Sequence, residues 1–403
     1  MMSPDKSPAR ERDVLVAGAG LAGLIAAIGF ARAGFDVVSC GAEDRTGRGR
    51  TVALLDRSVA YLNSLGLWAS IEPAAAPMRS LRLIDDTDTS FPSRPIEFQC
   101  SEIGLDAFGR NVENDLMADA LAAQAAVAPG LERIELAVAA YDFSPAAARA
   151  RLEDGRTFAA RLIVAADGRA SPARRAAGLE MRARPYRQTA LTALLAHRLP
   201  HRDFSTEFHT RGGPFTLVPL PASKTSQHRS SLVWVMSEAE ARRRGGLDDA
   251  ALAVEIERQA HSLLGAFAIE GARGVFPIAR QTVPRIASER LALVGDAAHV
   301  LPPIGAQGLN LGLRDVAAII DIASGARAVG RDIGAAETLS AYDRIRRSDI
   351  AARTGIVDGL NRALLTRFAP LDFARGGGLA ALGAIGPLRR FVMREGIAPR
   401  LRR

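Results

Sequence analysis

The chain has 403 residues, which is longer than a single hydrophobic core usually supports and predicts two lobes or one large compound domain. Hydrophobic residues make up 48% of it and charged residues 24%, a balance that excludes a disordered chain and is typical of a globular protein. The net charge is +8, carried almost entirely by arginine, but aromatic residues are only 5% and no basic cluster is interleaved with them, so we do not expect nucleic-acid binding.

The N-terminal segment and the cysteines further restrict the classes of protein to which the chain could belong. The sequence MMSPDKSPARER is polar and lacks the apolar core of a signal peptide. No uninterrupted apolar run approaches the ~18–20 residues of a transmembrane helix, so we expect a cytoplasmic protein. Cys40 and Cys100 are the only cysteines and form no CxxC motif, which argues against a disulfide frame or a metal site.

The first elements in the chain predict a βαβ unit that binds a dinucleotide. We expect a buried strand at Asp13–Ala17, a glycine-rich turn at Gly18–Gly23, a helix at Leu24–Ala33 and a second strand at Phe35–Cys40. Glu43 follows the second strand, 20 residues after the last glycine of the turn. Its carboxylate can accept hydrogen bonds from both hydroxyls of an adenosine ribose, and it would repel a 2′-phosphate.

The turn, GAGLAG, is a GxGxxG motif in which each glycine has its own role. Gly18 permits the tight turn, Gly20 lets the backbone approach a pyrophosphate, and Gly23 allows close packing of helix and strand. Leu21 and Ala22 lie between these glycines, and the following helix N-terminus supplies free N–H groups and a partial positive charge for the phosphates. The motif alone leaves FAD and NAD open.

Two later strands each lead into a turn that carries an aspartate. The strand at Arg161–Ala166 runs into Asp167, and the strand at Arg290–Val294 runs into Asp296. Ligands of open α/β sheets bind at the carboxyl ends of the strands, so both carboxylates are expected at the ligand. A second such aspartate is not needed for NAD but can accept a hydrogen bond from a ribityl hydroxyl, which favours FAD.

Between about residues 185 and 280 the pattern changes to short β-type runs joined by turns rich in Gly, Pro and Ser. We interpret this region as a mostly antiparallel sheet inserted into the chain of the nucleotide-binding lobe. The predicted elements are strands at Thr189–Arg198, Phe215–Pro219 and Ser230–Met236 and a helix at Leu247–Leu264. Pro302 and Pro303 then predict a rigid extended segment without N–H donors, and a long apolar helix is expected at Leu309–Ser324.

Three segments, taken in order, carry a resemblance: GAGLAG with Glu43, LIVAADGRASPARR, and LALVGDAAHVLPPIGAQGLNLGLRD. The set resembles the single-component flavoprotein aromatic hydroxylases of the p-hydroxybenzoate hydroxylase type. Within them, the segments RTVALL, SLGLW, QGLNLGLRD and LRRFVMREGIA are similar to the branch that acts in ubiquinone biosynthesis. The resemblance extends from about Asp13 to Ala398.

This resemblance implies an α/β (mixed α+β) fold with a Rossmann-like FAD-binding lobe, an inserted antiparallel substrate domain and a helical C-terminus. The expected FAD lobe is discontinuous, at residues 10–80, 105–185 and 281–345. The substrate domain would comprise residues 81–104 and 186–280, and the C-terminal helical segment residues 346–403.

The family pattern also assigns roles to residues of this chain. It implies Glu43 at the adenosine ribose, Arg50 where FAD enters, Asp167 facing the pyrophosphate and the incoming nicotinamide, Asp296 at the ribityl and pyrophosphate, and Gly308, Leu309 and Asn310 at the flavin ring. Asn114 is a weaker candidate near the ribityl chain, where relatives often carry Arg or Gln. Pro303 and Gly308 belong to the flavin-facing segment that serves catalysis; no acid or base is assigned, and we interpret His299 as a structural hydrogen-bonding residue. Relatives more often have glycine at Ala306.

The activity implied is hydroxylation of an aromatic ring of a polyprenylated quinone precursor through a flavin C4a-hydroperoxide. FAD would be held non-covalently, O2 would be consumed, and NAD(P)H would bind transiently because the chain has no second GxGxxG. The basic stretch Arg389–Arg403 is either a solvated tail or a contact with the inner membrane surface, where a lipophilic phenol or quinone would be collected.

Three alternatives remain open. The same fold could hydroxylate a soluble phenol or a polyketide, could serve as a non-catalytic FAD-binding scaffold of a quinone-biosynthesis complex, or could reduce prenyl double bonds without consuming O2.

Overall fold

The structure is a computed structural model that describes residues 9–42, 49–87, 94–303, 305–365 and 385–397. Its strands are β1 Arg10–Ala17, β2 Val37–Cys40, β3 Thr51–Leu55, β4 Ala75–Met78, β5 Ser80–Asp86, β6 Ile96–Gln99, β7 Gly109–Glu113, β8 Leu131–Ile134, β9 Val138–Phe143, β10 Ala148–Leu152, β11 Thr157–Ala165, β12 Arg182–His197, β13 Phe204–Thr210, β14 Gly213–Leu220, β15 Arg229–Met236, β16 Phe267–Thr282, β17 Ala287–Ser288, β18 Leu291–Leu293 and β19 His299–Val300.

The α-helices are α1 Leu21–Arg32, α2 Asp56–Ser64, α3 Trp68–Ile71, α4 Asn114–Ala126, α5 Pro172–Ala176, α6 Glu238–Gly245, α7 Asp249–Gln259, α8 Gln307–Ala328, α9 Ala336–Leu365 and α10 Gly386–Ile397. Short 3-10 turns lie at Glu72–Ala74, Cys100–Ile103 and Gly295–Ala297. In the described part of the chain no helix is both long enough and apolar enough to cross a membrane.

The first sheet has the strand order β17-β18-β11-β1-β2-β8, and in addition β10 pairs with β11 and β9 pairs with β10. Strand β1 pairs in parallel with β11 and β2, and β18 extends β11 in parallel. Both faces of these strands are covered, so they are continuous hydrophobic runs, and Val14, Leu15 and Val16 are fully buried. Strand β8 pairs in parallel with β2, so the carboxyl ends of five parallel strands meet at one edge.

The second sheet has the order β19-β16-β12-β15-β14-β13-β5-β6 and is antiparallel except for the pair β13 and β5. One face packs on α6 and α7 around an aromatic core in which Phe215 and Trp234 meet edge to face at 5.0 Å. The opposite face carries Ala190, Val235 and Ile278.

A three-stranded sheet, in the order β3-β7-β4, is bonded to the second sheet through side chains and to α8 of the first lobe through the Asn310 amide. Thr51 donates a hydrogen bond to the Ser231 hydroxyl at 2.9 Å, and the Asn111 amide donates to Ser231 at 3.1 Å and to the Pro219 carbonyl at 2.9 Å. Since Ser231 and Pro219 belong to the second sheet, these bonds fix its opposite face toward the first lobe.

The predicted fold class is confirmed: a Rossmann-like lobe, an inserted mostly antiparallel sheet and C-terminal helices. The first helix begins at Leu21 rather than Leu24, because the glycine turn closes within the motif itself. The single helix predicted at Leu247–Leu264 was wrong in its extent; it is the shorter α7, preceded by a separate helix α6. The division into domains stays a prediction. Strand pairing carries the second sheet beyond its predicted ranges to Ser80, Arg182 and Thr282, and adds β19 at His299–Val300.

Candidate cofactor site

A cavity of about 1060 Å³ opens at the edge of the first sheet where its parallel strands end. Ala17, Cys40, Ala166 and Val294, at the ends of β1, β2, β11 and β18, form its floor. The residues that were predicted to bind the cofactor and that line this cavity are Gly18, Gly20, Leu21, Ala22, Arg50, Asn114, Asp167, Asp296, Gly308 and Leu309. Residues far apart in the sequence are thus brought to one edge.

Each glycine of the turn has a different backbone environment. Gly18 has a φ of +122°, and a Cβ there would lie 2.2 Å from the Ala166 carbonyl oxygen. A Cβ on Gly23 would lie 2.0 Å from the Gly18 oxygen, so Gly23 serves helix–strand packing and does not line the cavity. A Cβ on Gly20 would meet no described atom within 4 Å. This open side lets a ligand approach the backbone closely.

Three helix N-termini face the cavity. Leu21 of α1, Asn114 of α4 and the pair Gly308 and Leu309 of α8 all line it. Among the described residues no side chain caps the first turn of any of these helices. In α4 the first N–H, that of Asn114, donates to the Arg50 carbonyl at 2.9 Å. The following N–H groups of α4 and the first ones of α1 and α8 can bind an anion, and the helix dipoles favour negative charge there.

Two buried oxygen acceptors supply a test of whether a hydroxyl-bearing cofactor fits. Asp167 Oδ2 accepts a hydrogen bond from the Ala173 amide at 3.0 Å, but Oδ1 has no partner in the described structure. Asn114 Oδ1 is likewise buried without a described partner. Buried acceptors are nearly always satisfied, so both match a ligand with several hydroxyl donors, as the ribityl and ribose groups of FAD have. Burial raises the pKa of Asp167.

Asp296 stands at the cavity in a different environment. Its carboxylate is about half exposed and forms an ion pair with Arg169 at 3.2 Å. Arg174 is buried and donates to the Ala297 and Arg169 carbonyls, both at 2.8 Å, so it ties the two aspartate turns together. Neither arginine was predicted, although both lie in the quoted segment LIVAADGRASPARR.

Some predicted residues lie elsewhere. The Asn310 side chain accepts from the Leu55 amide at 2.8 Å and donates to the Ala53 carbonyl at 2.8 Å, so it joins α8 to β3 and does not line the cavity. Pro303 is half-buried just before α8 and is also not among the lining residues. Glu43 lies outside the described residues.

Other lining residues were missed by sequence reasoning. Tyr141, on β9, is an example; burial raises the pKa of its hydroxyl above the usual range, so it stays neutral. Gly41 approaches the turn so closely that a Cβ would lie 2.5 Å from the Ala19 nitrogen. No motif marks these positions, because they reach the cavity only through the pairing of distant strands. No cluster of three or more metal-ligating side chains occurs within the ranges that the structure covers.

The chain is similar to known FAD-binding proteins over most of its length. The family model described as "FAD binding domain" matches residues 11–354. Over 390 residues the chain is 32% identical to ubiquinone hydroxylase UbiL of Rhodospirillum rubrum, covering 95% of this chain and 89% of that protein. It is 29% identical to the 3-demethoxyubiquinol 3-hydroxylase of Escherichia coli, covering 94% and 96%.

Two solved structures are similar in fold. The p-nitrophenol 4-monooxygenase PnpA of Pseudomonas putida matches with a TM-score of 0.80 and 18% identity, covering 98% of this chain and all of that chain. HpxO of Klebsiella pneumoniae, complexed with FAD and uric acid, matches with a TM-score of 0.75 and 19% identity, covering 97% of each chain.

Proposed function

The chain belongs to the FAD-binding-domain family and is an FAD-dependent monooxygenase, and from this premise we propose that it hydroxylates an aromatic ring of a polyprenylated precursor in ubiquinone biosynthesis. The observation that carries the proposal is similarity over nearly the full length to two proteins named as hydroxylases of this pathway. The cavity and its unpartnered acceptors support the cofactor part of it.

The residues proposed to hold FAD follow from the chemistry of each part of the cavity. The turn from Gly18 to Ala22 and the start of α1 would bind the pyrophosphate, and Asp167 and Asn114 would accept hydrogen bonds from hydroxyls. Asp296 is proposed for the ribityl and pyrophosphate region, Arg50 for the opening, and Glu43 for the adenosine ribose.

When bound, FAD supplies the redox chemistry, in which NAD(P)H provides the electrons and O2 the oxygen atom that is transferred to the ring. The chain's own contribution is binding, orientation and exclusion of water. The N–H groups of Gly308 and Leu309 would stabilise negative charge at the start of α8. Pro303 would form a wall without N–H donors beside the ring.

The substrate would lie on the face of the second sheet that looks toward the first lobe. This apolar face consists of buried Ala190, Val235 and Ile278 and the partly buried Tyr186, Val233 and Phe276. Strand β16, which carries Ile278, pairs at Gln281 with β19, and β19 leads into Pro303. The face is therefore near the flavin-facing segment, and its composition suits a lipophilic phenol rather than a charged one.

A product assay tests the substrate class. The FAD-loaded protein is given NAD(P)H and O2 with either a prenylated phenol or the same phenol without its prenyl chain, and the products are weighed by mass spectrometry. We expect one added oxygen on the prenylated compound and little on the short one. Product from the short phenol alone would favour a soluble substrate, and FAD binding with no NAD(P)H oxidation on either would favour a non-catalytic scaffold.

We also propose peripheral contact with an anionic bilayer through α10. This helix is fixed to the second sheet on one side: Met393 is 3% exposed beside Phe98, and Arg389 forms an ion pair with Glu102 at 2.6 Å. Arg389 also lies over the Phe98 ring, 4.8 Å from its centroid. Because Met393 and Arg389 pack against this sheet, the described part of the segment is not a wholly solvated tail.

The exposed sides of α10 are suited to contact a membrane surface. At 100° per residue, Ile385, Leu388, Phe391 and Val392 fall on one stripe, and all four are exposed. Arg390 and Arg394 are exposed on the adjoining side. An apolar stripe flanked by cations complements the acyl boundary and headgroups of an anionic leaflet. A partner protein of a biosynthetic complex is the competing occupant.

A further inference from the structure

A buried pair behind the cavity has no role in the chemistry described so far. Asp315 of α8 is fully buried and His299 of β19 is 1% exposed. His299 Nε2 lies 2.6 Å from Asp315 Oδ2. The pair stands between α8 and the 3-10 turn Gly295–Ala297, which brings Asp296 to the cavity.

Asp315 uses its two oxygens for different partners. Oδ2 also accepts a hydrogen bond from the Gly295 amide at 3.0 Å, so it holds both ends of the turn region. Oδ1 accepts from Arg346 Nε of α9 at 2.7 Å. Burial would raise the pKa of Asp315, but His299 and Arg346 together lower it below its usual value, so the carboxylate stays charged.

A second observation, independent of these bonds, shows that the turn and α8 are in close contact. A Cβ on Gly312 would lie 3.2 Å from the Gly295 Cα, and Gly295 itself has a φ of +58°. The helix can approach the turn this closely because position 312 has no side chain.

Both walls of the cavity therefore depend on one contact. Gly308 and Leu309 line the cavity from the first turn of α8, and Asp296 lines it from the turn. Asp315 is about 10 Å further along the same rigid helix than Gly308, at a rise of ~1.5 Å per residue. Loss of the hydrogen bonds from Asp315 to the turn would therefore change the distance between the two walls.

We propose that Asp315 is a positioning residue that fixes the Gly295–Ala297 turn against α8 and so sets the geometry in which FAD binds, with His299 acting as its hydrogen-bond donor. The proposal rests on FAD occupying this cavity, but not on the identity of the substrate. His299 needs no acid or base function in this role, because its partner is a buried carboxylate on the far side of the turn.

The test compares Asp315→Asn with Arg346→Lys. An amide has one acceptor oxygen where the carboxylate has two, and it lacks the negative charge that strengthens the bonds to the Gly295 N–H and to His299. Asp315→Asn therefore weakens the contact with the turn in either orientation of the amide. We expect its dissociation constant for FAD to rise about tenfold or more, with a changed absorption and circular dichroism spectrum of the bound flavin. Arg346→Lys leaves both turn bonds in place and should lower the melting temperature while keeping the FAD constant within about threefold.

A second pair keeps the proposal testable even if Asp315→Asn does not fold. Gln can place an N–H donor where His299 Nε2 lies, so His299→Gln should bind FAD nearly as well as the parent, and His299→Ala should lose about tenfold. Equal FAD constants and flavin spectra for His299→Ala, His299→Gln and the parent would overturn the proposal, as would equal loss in Asp315→Asn and Arg346→Lys. None of these measurements uses substrate, so they are independent of whether the proposed ring hydroxylation is correct.

Discussion

The cofactor cavity and the apolar face of the second sheet are made from different parts of the polypeptide. The cavity is lined by strand ends, glycines and three uncapped helix N-termini, so its binding groups are mainly backbone N–H groups and a few carboxylates. The apolar face consists of side chains from strands that pair over long distances in the sequence. Backbone geometry tolerates little change, whereas a side-chain surface can alter its preference by substitution. We therefore expect cofactor binding and substrate choice to be separable.

The largest effect is expected at Gly18. In Gly18→Ala the new Cβ would meet the Ala166 carbonyl at 2.2 Å from a backbone with positive φ, so the turn must move. We expect a loss of ~3 kcal/mol or more in the free energy of unfolding and at least ~100-fold weaker FAD binding, measured by thermal melts of the apoprotein and by FAD titration.

Gly20→Ala is the matched control for that variant. Its Cβ would meet no described atom within 4 Å, so the apoprotein should melt within about 1 °C of the parent. Binding of FAD should still weaken, because the methyl group projects where the pyrophosphate is proposed to lie. Equal destabilisation by the two substitutions would mean that the turn is not built as described.

Substitutions on the apolar face should affect substrate binding and leave FAD binding unchanged. Phe276→Ala removes a partly buried ring from it, so the KM for a prenylated phenol should rise about tenfold while the FAD dissociation constant stays unchanged. Val275, the next residue, is 47% exposed and projects toward α6 on the other face. Val275→Ala should leave both constants unchanged, and a similar KM effect from it would remove the distinction between the faces.

A third region, α10, should affect only membrane association. Phe391 is 62% exposed, and burying a phenylalanine side chain in the acyl boundary contributes ~1.5–3 kcal/mol, so Phe391→Asp should weaken binding to anionic vesicles by about tenfold. Flotation with phosphatidylglycerol-containing vesicles at low and high salt measures this. Val329→Asp, at a 68% exposed valine elsewhere, is the control. Vesicle binding that ignores Phe391 would contradict lipid contact through this helix.

The smallest effect is a pH-dependent gain in stability at Asp167. Burial raises the pKa of this carboxyl, so the protonated form favours folding, and that contribution is lost as the pH rises through the raised pKa. Asp167→Asn should therefore melt about 1–3 °C above the parent apoprotein at neutral pH, and the difference should shrink as the pH falls below the usual range of an aspartate. Binding of FAD should weaken, since the amide has one acceptor oxygen and the Ala173 amide uses it. A constant difference in melting temperature across pH would contradict the assignment.

The backbone features of the cavity were easier to predict from the sequence than the contacts between distant strands. The turn at Gly18 and the strand ends at Asp167 and Asp296 were predictable, because a short hydrophobic run followed by Gly or Asp is a local signal. Strand β13 was missed, and its parallel pairing with β5 joins residues more than a hundred positions apart, which no local pattern reports.

Side-chain roles were harder to predict than positions. Asn310 was assigned to the flavin ring from its place in a motif, but its amide spans the gap to β3. Tyr141 reaches the cavity, and Arg174 bridges the two aspartate turns, only through tertiary packing, so neither role was predicted. The arginines from Arg389 on suggested a solvated or membrane-bound tail, and only the structure separates Arg389, which packs on Phe98, from exposed Arg390 and Arg394.

Isotope labelling can show whether the protein, with FAD in this cavity, transfers oxygen from O2 to an aromatic ring. The FAD-loaded protein is supplied with NAD(P)H and a prenylated phenol under 18O2 in unlabelled water, and the product is analysed by mass spectrometry. We expect one 18O atom per molecule of hydroxylated product, located on the ring. Oxygen derived from water, or consumption of NAD(P)H that saturates a prenyl double bond and proceeds equally without O2, would contradict it.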